Sequence, residues 1–378
     1  MKTLITFLIA FLVNPIVYGQ SLEGIGHQWK DYISLNQYLH PFLDADTIYD
    51  ELVMPISEQE GGVQGKLLFP AKSILSIRNT YLDVTYEKGK DWDYQGAKLI
   101  IPSTSRIPFF RRSELLLKEE KKGISLPGKE KGSYVLFSEG ELLRSKQIAV
   151  TYIPDKKGRD LSVKLRKTKN LPQSSKKLKK NKPFHVVFWG NSIETGANSS
   201  AFQKVSPYMP NWAQLFVYNL RKNFSDQVSF KNLSVGGMAA SWGLEQVQQV
   251  NQEKPDLVVI GFGMNDGTAG IPENTFLEQI KGMISKISET NPTCEFIVIS
   301  TMVANPASIH NHMQTNYRAG LLAMERKGVA IADMTYWHQW LLKYKAYEDM
   351  TGNNINHTND YLSRWYAQVL SAMLIKAK

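Results

Sequence analysis

A serine, a pair of glycines and an asparagine each follow an apolar run in the second half of this 378-residue sequence. Ser192 lies in a Gly-Asn-Ser turn, Gly237 ends a Gly-Gly pair, and Asn265 lies in a Gly-Met-Asn-Asp stretch. A serine hydroxyl on a tight turn can attack an acyl group, while backbone N–H groups and an asparagine amide can stabilise the oxyanion that forms. Each stretch alone is equally typical of an ordinary turn or helix cap.

The polar stretch Gly352–Asp360 contains a single histidine, His357, among four asparagines. A serine hydroxyl is a weak nucleophile and needs a base within hydrogen-bonding reach. Imidazole suits this role because it titrates close to neutral pH. A lone histidine in a polar loop is usually a solvated side chain, but Ser192 provides a nucleophile for it to activate. We therefore predict that His357 is a general base and later a general acid.

These residues follow strands in a strand–helix alternation that begins after Pro183. Mainly apolar runs predict strands near residues 185–189, 256–262, 295–300 and 328–332, and alternation of apolar and polar residues predicts another over 228–233. Between them, helical spacing predicts helices near residues 212–224 and 276–287, and a closing amphipathic helix over residues 361–375. This alternation is typical of a parallel, doubly wound sheet with helices on both faces. Such sheets place their sites beyond the carboxyl ends of the strands, where Ser192, Gly237 and Asn265 occur.

The order of these motifs resembles that of the SGNH hydrolases, also called GDSL-type esterases. The resemblance covers residues 183–378 and implies a three-layer α/β/α fold and ester hydrolysis without a cofactor or metal. It also implies that Ser192 is the nucleophile and His357 the base. The oxyanion hole would then be formed by the N–H groups of Ser192 and Gly237 and by the Asn265 amide.

The sequence departs from this family pattern at two positions. Asn191 stands where the family usually has aspartate, which we expect to have a minor effect. Asn354 stands three residues before His357, where the family generally has the aspartate that orients the histidine. We expect a Ser-His dyad in which Asn354 is a neutral orienting residue, since an amide can accept the imidazole N–H but cannot neutralise imidazolium. Asp349, Asp360 or a backbone carbonyl are the alternatives.

The first half of the sequence has a different pattern of apolar and polar residues. Short alternating segments bounded by glycine, proline and charged residues predict a smaller β-sandwich-like domain over residues 20–155. A polar, lysine-rich linker is predicted over residues 156–183, followed by the hydrolase domain over residues 184–378. Residues 1–19 combine a lysine, an apolar run and small residues near Gly19, which predicts a cleaved secretory signal peptide. The alternative is an uncleaved N-terminal anchor.

Export would place the protein in a bacterial periplasm or outside the cell. Cys294 is the sole cysteine, which excludes an intrachain disulfide and any cysteine-rich metal site. The net charge of +10 is concentrated in lysine clusters that are typical of solvated segments. We expect no nucleic-acid partner, because there is no aromatic-basic recognition motif, and no stable membrane insertion after signal cleavage.

The substrate is indicated only indirectly. No long apolar lid is evident near the motifs, so we expect short acyl groups, most simply O-acetyl groups on a polysaccharide or oligosaccharide. Five aromatic residues are candidates for stacking on sugar rings or for core packing: Trp212, Trp242, Tyr336, Trp337 and Trp340. The alternatives are a short-chain lipase, arylesterase or thioesterase, and a catalytically weak polysaccharide-binding protein on the same fold.

Overall fold

The computed structural model describes residues 25–58, 62–155 and 163–375. The predicted signal peptide lies outside these ranges. Within them, no helix has both the length and the apolar character needed to cross a bilayer.

A five-stranded parallel sheet forms the centre of the second half of the chain. Its strands are β12 (Phe184–Gly190), β13 (Val228–Asn232), β14 (Leu257–Gly261), β15 (Glu295–Ser300) and β16 (Val329–Asp333). They lie in the order β13-β12-β14-β15-β16. The helices that follow β12 are α4 (Ser192–Thr195), α5 (Ser200–Gln203), α6 (Trp212–Asn223), α7 (Ala240–Glu245), α8 (Gln248–Glu253), α9 (Met264–Thr268), α10 (Glu273–Thr290), α11 (Tyr317–Leu322), α12 (Met334–Leu341) and α13 (Asp360–Leu374). The predicted three-layer α/β/α fold is confirmed.

Both faces of this sheet are covered, which explains why its inner strands are mainly apolar, whereas the edge strand β13 keeps polar residues. Alternate residues of β12 contribute to two separate cores because side chains on a strand alternate between its faces. Val186 and Phe188 pack in the core that contains α6, α12 and α13. Val187 and Trp189 pack in the core that contains α7, α8, α10 and α11. The polar loops that contain the motif residues lie at the edge formed by the carboxyl ends of the strands.

The first half of the chain is β-rich, as predicted. Eleven strands are described: β1 (Ile48–Val53), β2 (Ile56–Ser57), β3 (Val63–Lys66), β4 (Ala71–Asn79), β5 (Asp93–Gln95), β6 (Lys98–Ile101), β7 (Phe110–Arg111), β8 (Leu116–Leu117), β9 (Ser125–Pro127), β10 (Tyr134–Leu136) and β11 (Ile148–Pro154). They form sheets of three, five and three strands, in the orders β1-β11-β4, β5-β6-β3-β2-β7 and β8-β10-β9. Two single-turn helices accompany them, α1 (Leu35–Tyr38) and α2 (Arg112–Leu115).

Helix α13 lies between the parallel sheet and this β-rich region, and it is buried on nearly every side. Phe42 covers its outer surface, with ring centroids 5.1 Å from those of Tyr361 and Trp365. The buried Arg364 guanidinium donates to the carbonyls of Tyr38, at 3.1 Å, and Tyr49, at 2.6 Å. The helix predicted as amphipathic therefore has no solvent-facing stripe along most of its length, because the β-rich region takes the place of solvent.

A buried ion pair links the β-rich region to the segment after α12. The Lys345 ammonium lies 2.6 Å from Glu51 Oε1, and both side chains are completely buried. Glu51 also accepts hydrogen bonds from the Leu68 N–H at 2.7 Å and the Tyr152 hydroxyl at 2.7 Å. Asp349 lies 3.6 Å from the same ammonium. Hydrogen bonds therefore compensate the desolvation of the glutamate carboxylate.

The predicted lysine-rich linker is not uniformly a connector. Its described part contains a helix, α3 (Pro172–Lys179), whose Leu178 is buried. The Glu295 carboxylate accepts hydrogen bonds from the N–H groups of Gln173, at 2.9 Å, and Ser174, at 2.7 Å, both in the first turn of α3. An acceptor there satisfies donors that have no partner inside the helix. Residues 156–162 of the predicted linker lie outside the described ranges.

Candidate active site

Ser192 is the first residue of α4, directly after the sharp turn that ends β12. Asn191 caps this helix, since its side-chain oxygen accepts the Ile193 N–H at 3.0 Å. Its amide nitrogen donates to the Gly261 carbonyl at 3.1 Å, and its own N–H donates to Glu194 at 2.9 Å. Asn191 thus ties the turn to the neighbouring strand β14. An aspartate there would have no proton to donate to the Gly261 carbonyl unless it were itself protonated.

Glu194 is a buried carboxyl directly beneath the serine turn, with 2% of its surface exposed. Gly190 and Gly261 leave room for it, because a Cβ on either residue would lie 2.5 Å or less from a Glu194 carboxyl oxygen. Burial raises the pKa of Glu194 to about 8, although the Asn191 N–H acts in the opposite direction. At neutral pH the carboxyl is therefore mostly protonated.

The Glu194→Gln substitution is expected to make the protein more stable than wild type at pH 8 and equally stable at pH 5. The folded protein holds the Glu194 proton more tightly than the unfolded chain does, so this group's stabilising contribution is present at low pH. It is lost between the unfolded value near 4.5 and the folded value of about 8. Through this one group, the free energy of unfolding changes by at most about 1.4 kcal/mol per pH unit. Urea unfolding of both proteins from pH 5 to pH 8 measures the difference, and a constant gap across that range would contradict the expectation.

His357 reaches Ser192 from the loop before α13. Its Nε2 lies 2.8 Å from the Ser192 Oγ. His357 is buried, with 8% of the residue exposed. On the other side of the ring, Nδ1 lies 2.7 Å from the Asn198 side-chain oxygen and 3.1 Å from a Glu139 carboxylate oxygen. Acceptors at Nδ1 favour the tautomer that carries its proton there, which leaves Nε2 free to accept the serine proton.

The asparagines around His357 build its loop. The Asn353 side-chain oxygen accepts the N–H groups of Ile355, Asn356 and His357, each at 3.0 Å. The loop is closed at its base, where the Gly352 N–H donates to the His357 carbonyl at 3.0 Å. The imidazole is thus presented on a rigid polar turn.

The structure does not bring Asn354 to the imidazole, so the prediction that this residue orients His357 is corrected. The Asn354 amide nitrogen donates to the Leu136 carbonyl at 3.1 Å, and its side-chain oxygen accepts from Asn305 at 3.2 Å. Its backbone has a φ of +65°, a left-handed conformation that asparagine tolerates better than most residues. This conformation and these bonds account for the residue without a role at His357.

The two alternative acids are also engaged elsewhere. Asp349 accepts the Met54 N–H at 2.6 Å and the Ala346 N–H at 2.9 Å. Asp360 accepts the Ser200 N–H at 2.9 Å and pairs with the buried Arg144 at 3.0 Å. Neither carboxylate is bonded to His357 in the described structure.

The Asn354→Asp substitution is therefore expected not to raise activity and to destabilise the fold. A carboxylate would lose the donor to the Leu136 carbonyl and would leave that buried oxygen unsatisfied, which costs about 1–3 kcal/mol. Thermal unfolding and ester-hydrolysis rates of the variant measure both effects. A marked gain in activity at unchanged stability would show that the position does serve the histidine.

The three predicted oxyanion donors lie on adjoining segments. A Cβ on Gly236 would lie 3.8 Å from the Ser192 Cβ, which places the glycine pair against the serine. Gly237 has a φ of +80° and is exposed, and within the described residues its N–H has no protein acceptor. The Asn265 amide donates one proton to the Met238 carbonyl at 2.9 Å, which leaves its second proton for a ligand. The Ser192 N–H, in the first turn of α4, has no acceptor within that helix.

Asp266 holds the neighbouring turns together. Its two oxygens accept the Ala240 N–H at 2.8 Å and the Gly263 N–H at 2.9 Å, and its side chain is buried. Burial raises its pKa, although these hydrogen bonds act against the rise. It thereby fixes α7 and the Gly263 turn, where φ is +115°, and with them the position of Asn265.

Sequence reasoning missed Glu139 and Asn198. Glu139 lies 218 residues before His357, in a loop with no recognisable motif. Asn198 follows the serine turn and is not part of a recognisable motif. Its closeness to Gly352, where an added Cβ would lie 2.3 Å from the Asn198 Cβ, is seen only in the folded chain. Among the described residues, no group of three or more His, Cys, Asp or Glu side chains is arranged to hold a metal ion.

Residues 188–364 match the model of the GDSL-like lipase/acylhydrolase family. A comparison with curated proteins finds no match. Several solved structures are similar, among them a GDSL-like lipase from Parabacteroides merdae (13% identity, TM-score 0.43, 51% of this chain and 97% of that one). A two-domain esterase active on acetylated mannans is 20% identical (TM-score 0.42, 53% and 52%). A family 3 carbohydrate esterase from Talaromyces cellulolyticus is 17% identical (TM-score 0.38, 50% and 94%).

The family match spans β12 to α13 and thus includes every segment that contributes to the cluster around Ser192, apart from the Glu139 loop. Residues 188–364 are thus similar to the GDSL-like lipases and acylhydrolases, which supports the predicted resemblance to the SGNH superfamily.

Proposed function

We propose that the protein is an exported serine esterase that removes short acyl groups, most simply O-acetyl groups, from a polysaccharide or oligosaccharide. The observation that carries the proposal is the 2.8 Å hydrogen bond between Ser192 Oγ and His357 Nε2 at the carboxyl edge of the sheet. Beside it lie the Gly237 N–H, which has no acceptor among the residues that the structure describes, and the partly free amide of Asn265.

In the proposed reaction, the Ser192 Oγ attacks the ester carbonyl while His357 Nε2 takes the hydroxyl proton. The resulting oxyanion accepts hydrogen bonds from the Ser192 and Gly237 N–H groups and from Asn265. Collapse of the intermediate breaks the ester bond, and His357 gives its proton to the departing sugar oxygen. Water, deprotonated by the same imidazole, then attacks the acyl-serine; the bond to Ser192 Oγ breaks, His357 returns the proton to that oxygen, and the carboxylic acid is released. No cofactor is required by these steps.

The surroundings of the serine support a polar substrate. Asn265 and the glycine pair line one side of the serine, and the half-exposed Glu139 carboxylate lies beside His357. The aromatic candidates contribute less than expected, because Trp212, Trp337 and Trp340 are buried in the core. Trp242 stacks on the buried Trp189, with centroids 4.6 Å apart. The proposed specificity therefore rests on the polar rim, the predicted export and the size of an acetyl group, with an acylated glycan as the partner.

The test is acetate release from a panel of O-acetylated glycans, together with hydrolysis of p-nitrophenyl acetate and p-nitrophenyl octanoate. We expect acetate release from at least one glycan and faster hydrolysis of the acetyl ester, because the sequence near the motifs contains no long apolar segment that could cover a long acyl chain. The Ser192→Ala variant, purified in the same way, provides the blank.

Two outcomes would refute parts of the proposal separately. Equal rates for wild type and the Ser192→Ala variant on every ester would remove the serine mechanism. Serine-dependent hydrolysis with faster turnover of octanoate would retain the mechanism and replace the carbohydrate acetyl ester with a lipid-like substrate.

A further inference from the structure

A loop of the β-rich region lies directly on the His357 loop. It follows β10 and comprises residues 137–141, here called the β10 loop. Its Ser138 N–H contacts the Asn353 carbonyl at 3.4 Å, and its Glu139 carbonyl accepts the Asn198 amide at 2.9 Å. The Gly140 carbonyl accepts the Gln203 amide at 3.1 Å. Backbone groups of three consecutive residues are thus bonded to the hydrolase domain, which fixes the position of the loop.

This attachment directs the Glu139 carboxylate to the imidazole. One oxygen lies 3.1 Å from His357 Nδ1, and the other accepts the Asn353 amide at 3.1 Å. Among the described residues, Glu139 is the sole carboxylate paired with His357. The next charged groups on the adjoining elements, Arg144 and Asp360, pair with each other at 3.0 Å.

Asn198 and Glu139 both contact Nδ1, but only Glu139 carries a charge. The Asn198 amide donates to the Glu139 carbonyl, so its oxygen faces the ring and accepts the imidazole N–H at 2.7 Å. A neutral amide holds the tautomer in this way but has no negative charge with which to stabilise imidazolium. The Glu139 carboxylate provides that charge.

We propose that Glu139 is the acidic positioning residue of this active site, so that the β-rich region and the hydrolase domain build the catalytic centre jointly. The inference rests on the proposed serine mechanism. When His357 takes the Ser192 proton, the carboxylate stabilises the imidazolium from across the domain boundary. Asn354 then needs no charge, because the acid reaches Nδ1 from another part of the chain.

The electrostatics of the carboxyl agree with this role. Burial raises the pKa of Glu139, but the hydrogen bond and charge of His357, together with the Asn353 amide, outweigh it and hold the pKa below its usual value. Glu139 is therefore ionised at neutral pH. Its side chain is 49% exposed, so solvent screens part of its charge and the effect on the imidazole is smaller than for a buried acid.

The experiment compares wild type with Glu139→Gln and with Glu141→Gln as the matched control. Glu141 lies on the same loop but bonds to the Tyr81 hydroxyl at 2.7 Å, away from the imidazole. Two readouts are taken across pH on the full chain, kcat/KM for p-nitrophenyl acetate and the rate at which a fluorophosphonate probe labels Ser192. The second needs no knowledge of the natural substrate.

We expect Glu139→Gln to lower both rates about 10- to 100-fold. This is less than the roughly 10⁴-fold loss that the wrong histidine tautomer causes when asparagine replaces the aspartate of a serine protease, because Asn198 still holds the correct tautomer. The acidic limb of both pH profiles is expected to move to lower pH, since a carboxylate favours protonated imidazole. The Glu141→Gln protein should match wild type in both respects. Unfolding midpoints within a few degrees of wild type would exclude misfolding as the cause.

The inference and the proposed function fail in different ways. Wild-type labelling rates and an unmoved pH profile in Glu139→Gln would overturn the role of Glu139, whatever the substrate. A slow, shifted labelling profile in that variant, with no hydrolysis of acetyl esters by wild type, would support Glu139 and refute the acetyl specificity. A uniform loss at all pH values, with the profile unmoved, would show a structural role and also overturn the inference.

Discussion

Ser192→Ala and His357→Ala are each expected to lower kcat for ester hydrolysis by about 10⁴- to 10⁶-fold, and the double variant should lose no more than either single one. Residues that act as one catalytic unit are strongly non-additive, because removal of either abolishes the same step. The residual rate would come from the oxyanion donors alone. The 2.8 Å contact between the two side chains makes them such a unit.

The measurement is steady-state hydrolysis of p-nitrophenyl acetate by wild type, both single variants and the double variant. Thr195→Val is a suitable control, because the Thr195 hydroxyl bonds to the Ser192 carbonyl at 2.8 Å and lies in the same short helix. It should change kcat far less than either alanine variant. Losses in the double variant equal to the product of the two single losses would show that the residues act independently.

The largest effect on stability is expected for Lys345→Met, at about 3–5 kcal/mol of lost unfolding free energy, the usual cost of leaving one partner of a buried ion pair uncompensated. Glu51 would keep its bonds to Leu68 and Tyr152 but lose its counter-charge in a site with no exposed surface. The adjacent Asp349 depends on the same ammonium. Burial raises its pKa to about 6, and Lys345 opposes that rise.

Urea unfolding of the full chain measures the loss, with the exposed Lys343→Met as the control. The double variant Glu51→Gln/Lys345→Met should recover part of the stability, because a neutral amide can still bond to Leu68 and Tyr152 without an unpaired charge. A loss below about 1 kcal/mol in Lys345→Met would show that the ion pair is not a main connection between the two halves of the chain.

The hydrolase fold could be predicted from the sequence because its signals are local. Runs such as 256–262 are apolar because both faces of β14 are covered, and the motif residues follow the strands directly. Ser192, Gly237 and Asn265 could be placed at one edge for the same reason, because each follows a strand of one parallel sheet. His357 required only the additional inference that a nucleophile needs a base.

The partners of the imidazole could not be predicted in this way. The interaction between Glu139 and His357 depends on how the β10 loop docks on the other half of the chain, and nothing near Glu139 in sequence indicates it. Asn354 was misassigned because its spacing from His357 matched a family pattern. Its left-handed backbone and its bond to the Leu136 carbonyl are properties of the folded chain, which spacing alone does not reveal.

The burial of α13 has a consequence for protein engineering. Its outer surface rests on Phe42 and on the backbone carbonyls of Tyr38 and Tyr49. A recombinant fragment cut at the predicted boundary near residue 184 would expose Tyr361 and Trp365 to water. It would also leave the Arg364 guanidinium without its carbonyl acceptors. Such a fragment would be prone to aggregate. The hydrolase part of this chain is therefore a poor cassette for fusion or domain exchange unless the β-rich region accompanies it.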